Sequence, residues 1–151
     1  TPIKSSAASD VYKRQIYTDE DKITMDGEEY FFPHFKSDFN PDMLCTTNYF
    51  CHLVVVKKEL YQAAGKLNGE YDGAQDYDFV LRCVEKTDKI RHIPKILYHW
   101  RACEGSTAGS ADNKSYIVDA GAKAVRAHYR RMGIEAEVQR SIRECTGRNI
   151  R

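Results

Sequence analysis

The chain lacks most of the features that place a protein at a glance. Its longest strictly apolar run is Leu53-Val54-Val55-Val56, far short of the ~20 residues a membrane-spanning helix needs. Neither sign of charge dominates: 23 basic and 22 acidic side chains leave a formal charge of +1. That balance argues against nucleic acid as the partner, because neutralising phosphates usually takes a clear basic surplus. Cys45, Cys51, Cys83, Cys103 and Cys145 are odd in number and never spaced as C-x-x-C. The spacing excludes a zinc ribbon and a thioredoxin-like motif, and a disulfide framework fits poorly in a chain of 151 residues. A cytoplasmic location with reduced thiols is therefore expected. No internal repeat and no charged-then-apolar signal pattern is seen. With 42% hydrophobic and 30% charged residues, what remains is the composition of one ordinary globular domain.

The first fifteen residues read differently from the rest. Ser5-Ser6-Ala7-Ala8-Ser9-Asp10-Val11-Tyr12-Lys13-Arg14-Gln15 resembles a translated sequencing adapter, so residues 1–15 are expected to be a non-native or disordered leader. Without them the chain carries 20 basic and 21 acidic groups. The division expected from this is a leader over 1–15, a folded part over 16–138 and a polar tail over 139–151.

Ile16-Tyr17 is a β-prone stub that leads into Thr18-Asp19-Glu20-Asp21. From Lys22 to Thr47 no periodicity is sustained, which predicts a long irregular connection. The apolar, β-branched stretch from Tyr49 to Val56 predicts a strand covered on both faces. Lys57 to Ala64 predicts a short helix stopped by Gly65, whose tolerance of positive φ suits a helix end. Asp76 to Lys86 predicts a second helix, with Tyr77, Val80, Leu81 and Val84 as its buried stripe. Two short strands, Ile90 to Ile93 and Ile96 to Arg101, are expected on either side of Pro94. Alternation in the second sets Ile96, Tyr98 and Trp100 against Leu97, His99 and Arg101. Lys114 to Met132 predicts a long helix ended by Gly133, followed by a weak strand from Ile134. The whole is α/β material with too few strands for a large sheet.

Three clusters could carry chemistry. Asp19 and Asp21 stand two positions apart, so in an extended backbone they point to one side and can share a hard divalent cation, with Glu20 facing away. The plain alternative is an acidic surface turn. Asp76, in Asp72-Gly73-Ala74-Gln75-Asp76-Tyr77-Asp78, could take a proton from a substrate hydroxyl at the start of a helix. The plain alternative there is a helix cap with a surface ion pair between Asp78 and Arg82. In Leu97-Tyr98-His99-Trp100-Arg101, His99 could be a third metal ligand, Arg101 a diphosphate partner and Trp100 a platform for a sugar ring. An amphipathic edge strand with Trp100 in the core explains the same residues. His34, His52, His92 and His128 have no comparable company and read as surface or satisfied core residues. The basic residues of Lys114 to Arg131 read as a solvated helix face, or as a docking face for anionic lipid headgroups.

Taken in order, these segments resemble the middle of a bacterial family-2 glycosyltransferase. The resemblance rests on Ile16-Tyr17-Thr18-Asp19-Glu20-Asp21-Lys22-Ile23, Pro33-His34-Phe35-Lys36-Ser37-Asp38-Phe39, Asn48-Tyr49-Phe50-Cys51-His52-Leu53, Asp72 to Arg82, Ile93 to Arg101 and Ser106-Thr107-Ala108. It runs from about Ile16 to about Val138 and is similar to enzymes that build rhamnose-containing and other cell-surface polysaccharides. The resemblance implies a GT-A fold, a Rossmann-like nucleotide-diphospho-sugar transferase domain. Here it would be partial, lacking the N-terminal nucleotide-binding half and weakly active as cut. It implies Asp19 and Asp21 as the carboxylates of a D-x-D motif that holds the metal, Mn²⁺ or Mg²⁺, and the nucleotide diphosphate, with His99 joining the metal. Asp76 matches the catalytic base of the family's Glu-Asp motif, with Gln75 in place of the Glu and at the substrate. Trp100 and Arg101 would line the sugar or acceptor site. The expected partners are a nucleotide-sugar donor and a saccharide or lipid-linked saccharide acceptor, with no nucleic acid and no transmembrane segment. Association with the inner face of the cell membrane would be peripheral. Two other classes remain open on sequence: a metal-dependent phosphohydrolase using Asp19, Asp21 and His99, and a non-enzymatic carbohydrate-binding or structural fragment in which Trp100 stacks on sugar.

Overall fold

The structure, a computed structural model, describes residues 14–102 and 112–139. The Ser106-Thr107-Ala108 segment, Cys103, Cys145, residues 1–13 of the leader and residues 140–151 of the tail lie outside the described residues.

The strand that begins at the β-prone stub is the hub of a mixed sheet. β1 (Gln15–Ile23) pairs antiparallel with β2 (Tyr30–His34) through Glu20 to Ile23 and with β3 (Val54–Val56) through Gln15 to Tyr17. β4 (Ile90–Arg101) runs parallel to β1 along its whole length. A parallel return needs a crossover. It is filled by α1 (Pro41–Leu44), α2 (Lys58–Ala64), a 3₁₀ turn at Gly69–Tyr71 and α3 (Gln75–Val84). The long helix α4 (Asp112–Met132) then packs on α3. This is a mixed α/β fold compatible with part of a Rossmann-like domain.

Several expected elements have different bounds, each for a physical reason. The irregular connection from Lys22 to Thr47 contains β2 and α1; β2 escaped notice because Tyr30, Phe32, Pro33 and His34 are all exposed and carry no alternation. The strand expected from Tyr49 to Val56 narrows to Val54–Val56. Tyr49 and Phe50 are fully buried outside any strand, Phe50 stacked on Tyr17 at 4.0 Å and Tyr49 edge-on to both rings. Their apolarity reflects the core and not a ladder. The two strands around Pro94 are one strand, because β1 steps from Ile93 to Ile96 in its pairing and so passes over the residue without an N–H. No strand follows Ile134 among the described residues.

The main core joins Tyr17, Tyr49 and Phe50 to Leu44 of α1, Tyr77, Val80 and Leu81 of α3, and Ala124 and Val125 of α4. α3 therefore buries Tyr77, Val80 and Leu81 of the stripe its sequence predicts and half-buries Val84. Gly65 and Gly133 end α2 and α4 at φ values of 84° and 69°. Asp78 and Arg82 are not a surface pair: Asp78 is 1% exposed, and Arg82 also donates to the carbonyls of Ala64 and Lys66. The pair ties α3 to the end of α2. Likewise the basic face of α4 is partly spent inside the molecule, with Arg131 and His128 on Glu85 and Arg126 on the Val138 carbonyl. Burial pulls the Glu85 carboxyl up, but the hydrogen bonds from His128 and Arg131 outweigh it and hold the group below its ordinary value.

At its start β1 reaches into residues expected to be leader. The Arg14 amide donates to Lys89 and its carbonyl accepts from Lys57, while Gln15 is 0% exposed with no partner among the described residues for either atom of its side-chain amide. Its pairing partners there are Val56 and Ile90.

Candidate functional site

The acidic triplet divides as strand alternation predicts, but its two outer members have different company. Asp19 accepts from the Lys36 backbone N–H at 2.9 Å and meets His92 Nε2 at 2.7 Å, with all but about 4% of both side chains shut away. Asp21 meets His99 Nδ1 at 2.5 Å. His99 is 43% exposed and lies edge-on to Tyr30 at 4.7 Å. The register explains both pairs, because Tyr17 stands beside His92 and Asp21 beside His99 across the β1–β4 pairing.

Glu20, given no role on sequence, is the most connected carboxylate of the three. It accepts from the His52 backbone N–H at 2.6 Å, lies 2.9 Å from His52 Nδ1 and lies 3.4 Å from the Lys36 ammonium. Burial pushes the Glu20 carboxyl up, yet the hydrogen bond and charge of His52 and the charge of Lys36 win and hold it below its ordinary range. Ligand-type atoms of Glu20, Cys51 and His52 fall within 4.8 Å of one another. The cation there is the chain's own: Lys36 Nζ, fully buried, also donates to the Cys51 carbonyl. Burial and the Glu20 charge push the Cys51 thiol up to about 12, so it is a poor anionic ligand.

His52 links this cluster to β4. Its ring stacks on Tyr98 at 5.4 Å and lies 4.7 Å from Trp100, whose indole also carries the Lys22 ammonium at 5.2 Å. Nothing near His52 in sequence marks it; its partners Glu20, Tyr98 and Trp100 come from other elements. Arg101 points elsewhere. Its guanidinium donates to the carbonyls of Thr24 and Met25 and braces the β1–β2 turn.

Beside His52 opens a cleft of about 940 Å³, whose polar wall includes Asn48, Cys51, His52, Gln75 and Asp76. α4 also lines it, through Tyr116, Ile117, Gly121 and Val125. Asp76 sits in the first turn of α3, exposed, and accepts from Asn48 Nδ2 at 2.9 Å. It does not cap the helix; Ala74 holds that position without a side-chain bond. Gly73 lies directly against α4. Its φ is +89°, and an added Cβ would lie 2.6 Å from the Tyr116 ring.

The structure thus brings Asp21 to His99, and groups Gln75 and Asp76 with His52 around the cleft, with Trp100 against His52. It sends Asp19 to His92 and Arg101 to a turn. For a divalent cation, Asp21 and His99 fit as a carboxylate and an imidazole already side by side. The Oδ1 of Asp19 is committed to two buried donors.

No family model matches the chain. The chain is 45% identical over 118 residues to an uncharacterized protein, y4gI, of Sinorhizobium fredii, an overlap of 77% of this chain and 13% of that protein. It is 37% identical over 123 residues to the O-antigen biosynthesis protein RfbC of Myxococcus xanthus, an overlap of 82% of this chain and 10% of that protein. The chain spans about an eighth of the length of these curated relatives, or less. Among the described residues no helix is long and apolar enough to cross a membrane.

Proposed function

We propose that the chain is the acceptor-side part of a bacterial glycosyltransferase that builds cell-surface polysaccharide. The observation that carries this reading is Asp76: a carboxylate exposed at the rim of a cleft large enough for a sugar, and held by Asn48. The similarity to an O-antigen biosynthesis protein over 82% of the chain supports the same role. The donor would be a nucleotide sugar, and the acceptor a saccharide hydroxyl, free or lipid-linked.

In this reading Asp76 takes the proton of the acceptor hydroxyl as its oxygen bonds to the anomeric carbon and the bond to the diphosphate breaks. Such proton transfer contributes roughly 10²–10⁴ in rate. Trp100 carries the Lys22 ammonium over its ring and packs against His52, which lines the cleft, so its contribution to the sugar site is made through His52. Asp21 and His99 would hold a divalent cation, Mn²⁺ or Mg²⁺, while Asp19 holds β4 and the Lys36 segment in place behind them. When bound, that cation neutralises charge on the departing diphosphate.

The test is a product assay on the full polypeptide that carries this chain, supplied with nucleotide-sugar donors and saccharide acceptors. Glycosylated acceptor is expected, with a yield that falls by about 10²–10⁴ in Asp76→Asn. Free sugar or phosphate as the sole product, or an unchanged yield in the variant, overturns the reading.

A further inference from the structure

Glu20 and Lys36 have no part in the proposed transfer, yet together they hold one peptide group at the edge of the cleft by both its ends. The N–H of His52 donates to Glu20 Oε2 at 2.6 Å, and the carbonyl before it, that of Cys51, accepts from the buried Lys36 ammonium. His52 Nδ1 lies 2.9 Å from the same Glu20 oxygen. A carboxylate held in its charged form only accepts hydrogen bonds, so Nδ1 of the imidazole carries a proton. Nε2 is then the nitrogen left over, and it has no partner among the described residues. Packing against Tyr98 and Trp100 restrains the ring, while 33% of the side chain stays exposed. Among the described residues His52 is the one histidine in the lining of the cleft. It is tied to Asp76 through its own segment: the Cys51 thiol donates to the Asn48 carbonyl at 2.9 Å, and Asn48 Nδ2 donates to Asp76.

We infer that His52 Nε2 is a ligand-binding atom of the cleft that bonds a saccharide hydroxyl, and that Glu20 and Lys36 are the positioning residues that hold it ready. The inference rests on the transferase reading for the class of ligand and adds a group that orients this ligand. A hydroxyl both donates and accepts, so it pairs with Nε2 whether or not that nitrogen is protonated. The hydroxyl bonded there is not consumed; it fixes the sugar while Asp76 takes the proton of another. The buried pair explains why an exposed ring is held so firmly. A side chain already fixed by a carboxylate, with its peptide group clamped, loses little freedom when a ligand binds.

The test uses the whole chain, ¹⁵N-labelled, with both imidazole nitrogens of His52 read by NMR in mildly alkaline buffer, where a free imidazole is neutral. The proton is expected on Nδ1 in the parent chain and on either nitrogen in Glu20→Gln, because a neutral amide can donate to the ring as well as accept from it. Titration with methyl glucoside, methyl galactoside and methyl rhamnoside is expected to move the Nε2 signal with at least one of them and to leave Nδ1 nearly in place. Two variants separate ligand binding from mere support. An asparagine amide reaches about as far as Nδ1, and a glutamine amide about as far as Nε2. His52→Asn, which keeps the bond to Glu20, is therefore expected to weaken glycoside binding about tenfold, the loss of one hydrogen bond, while His52→Gln stays within about threefold of the parent. A purely structural role predicts the opposite order. The proton found on Nε2 in the parent chain, an Nε2 signal that none of the glycosides moves, or parent-like binding in His52→Asn would each overturn the inference. No arm involves transfer, so the two readings fail separately. A moved Nε2 with full transfer in Asp76→Asn would remove the enzyme and keep the sugar site; an unmoved Nε2 with transfer lost in Asp76→Asn would do the reverse.

Discussion

Two carboxylate–imidazole pairs join the same two strands, and they differ in almost everything except composition. Asp19 and His92 are each about 4% exposed, and Asp19 also anchors the Lys36 backbone; Asp21 and His99 stand at the open end, with His99 43% exposed. The cause lies in the strands and not in the residues. Between the pairs, β4 slips twice against β1, once past Pro94 and again before Tyr98. One imidazole lies in the core against Tyr17, and the other, beyond both irregularities, is open to solvent. The same D-x-D spacing therefore yields two buried carboxylates, one paired with a sealed imidazole and the other with an open one.

The comparison breaks most visibly on stability. Asp19→Ala should cost about 3 kcal/mol, since it strips two buried donors of their acceptor at ~1–3 kcal/mol each, while Asp21→Ala should cost about 1 kcal/mol, since the single imidazole it releases is 43% exposed and can turn to water. Urea unfolding of the two variants checks this, and equal losses would erase the distinction. Gln15→Leu works in the opposite direction at the sheltered end of the same strand. It replaces a fully buried amide that has no partner among the described residues, and should raise stability by about 1–3 kcal/mol in the same measurement. Mn²⁺ titration sharpens the contrast from the ligand side. If Asp21 and His99 hold a cation as proposed, Asp21→Asn, with a small effect on folding, should abolish a Mn²⁺-dependent shift of the His99 imidazole signals, and an unaltered titration would remove Asp21 from the proposed cation site.

The smallest effect concerns Glu20, which lies between the two pairs and joins neither. Its carboxyl is held below its ordinary value in the folded chain, so its contribution is present above the unfolded value and is lost as pH falls through the folded one. Unfolding followed from pH 6 down to about 3 should show a decline that is shallower in Glu20→Gln. Identical slopes would mean that His52 and Lys36 do not favour its charged form.

Much of this arrangement was legible before any coordinates. The helix stripe of Tyr77, Val80 and Leu81, the stops at Gly65 and Gly133, and the sorting of Tyr98 and Trp100 from His99 and Arg101 follow local periods of 3.6 and 2 residues. The site was legible only in part. His52 read as a surface or satisfied core residue, and Lys36 and Asn48 received no role of their own, because each derives its meaning from a partner on a different element, 16 to 32 residues away. Arg101 looked like an anion ligand, but a guanidinium is equally suited to the carbonyls of a nearby turn, and the β1–β2 turn lies beside it. The aromatic stretch at Tyr49 and Phe50 misled for a related reason: burial favours the same residues whether or not they join a ladder.

The sequence by itself determined which segments extend and which coil, which face of each is apolar, and that acidic and aromatic residues crowd the ends of two strands. These are properties of neighbouring residues and of the backbone's fixed periods. Tertiary structure alone decided which imidazole is sealed and which is open, that Glu20 draws in His52 and Lys36, and that Asp76 shares a cleft with Asn48. Those outcomes depend on the pairing of β1 with a strand some 75 residues later and on a register broken at Pro94. No local pattern encodes such a register, because it is set by how whole faces fill space against each other.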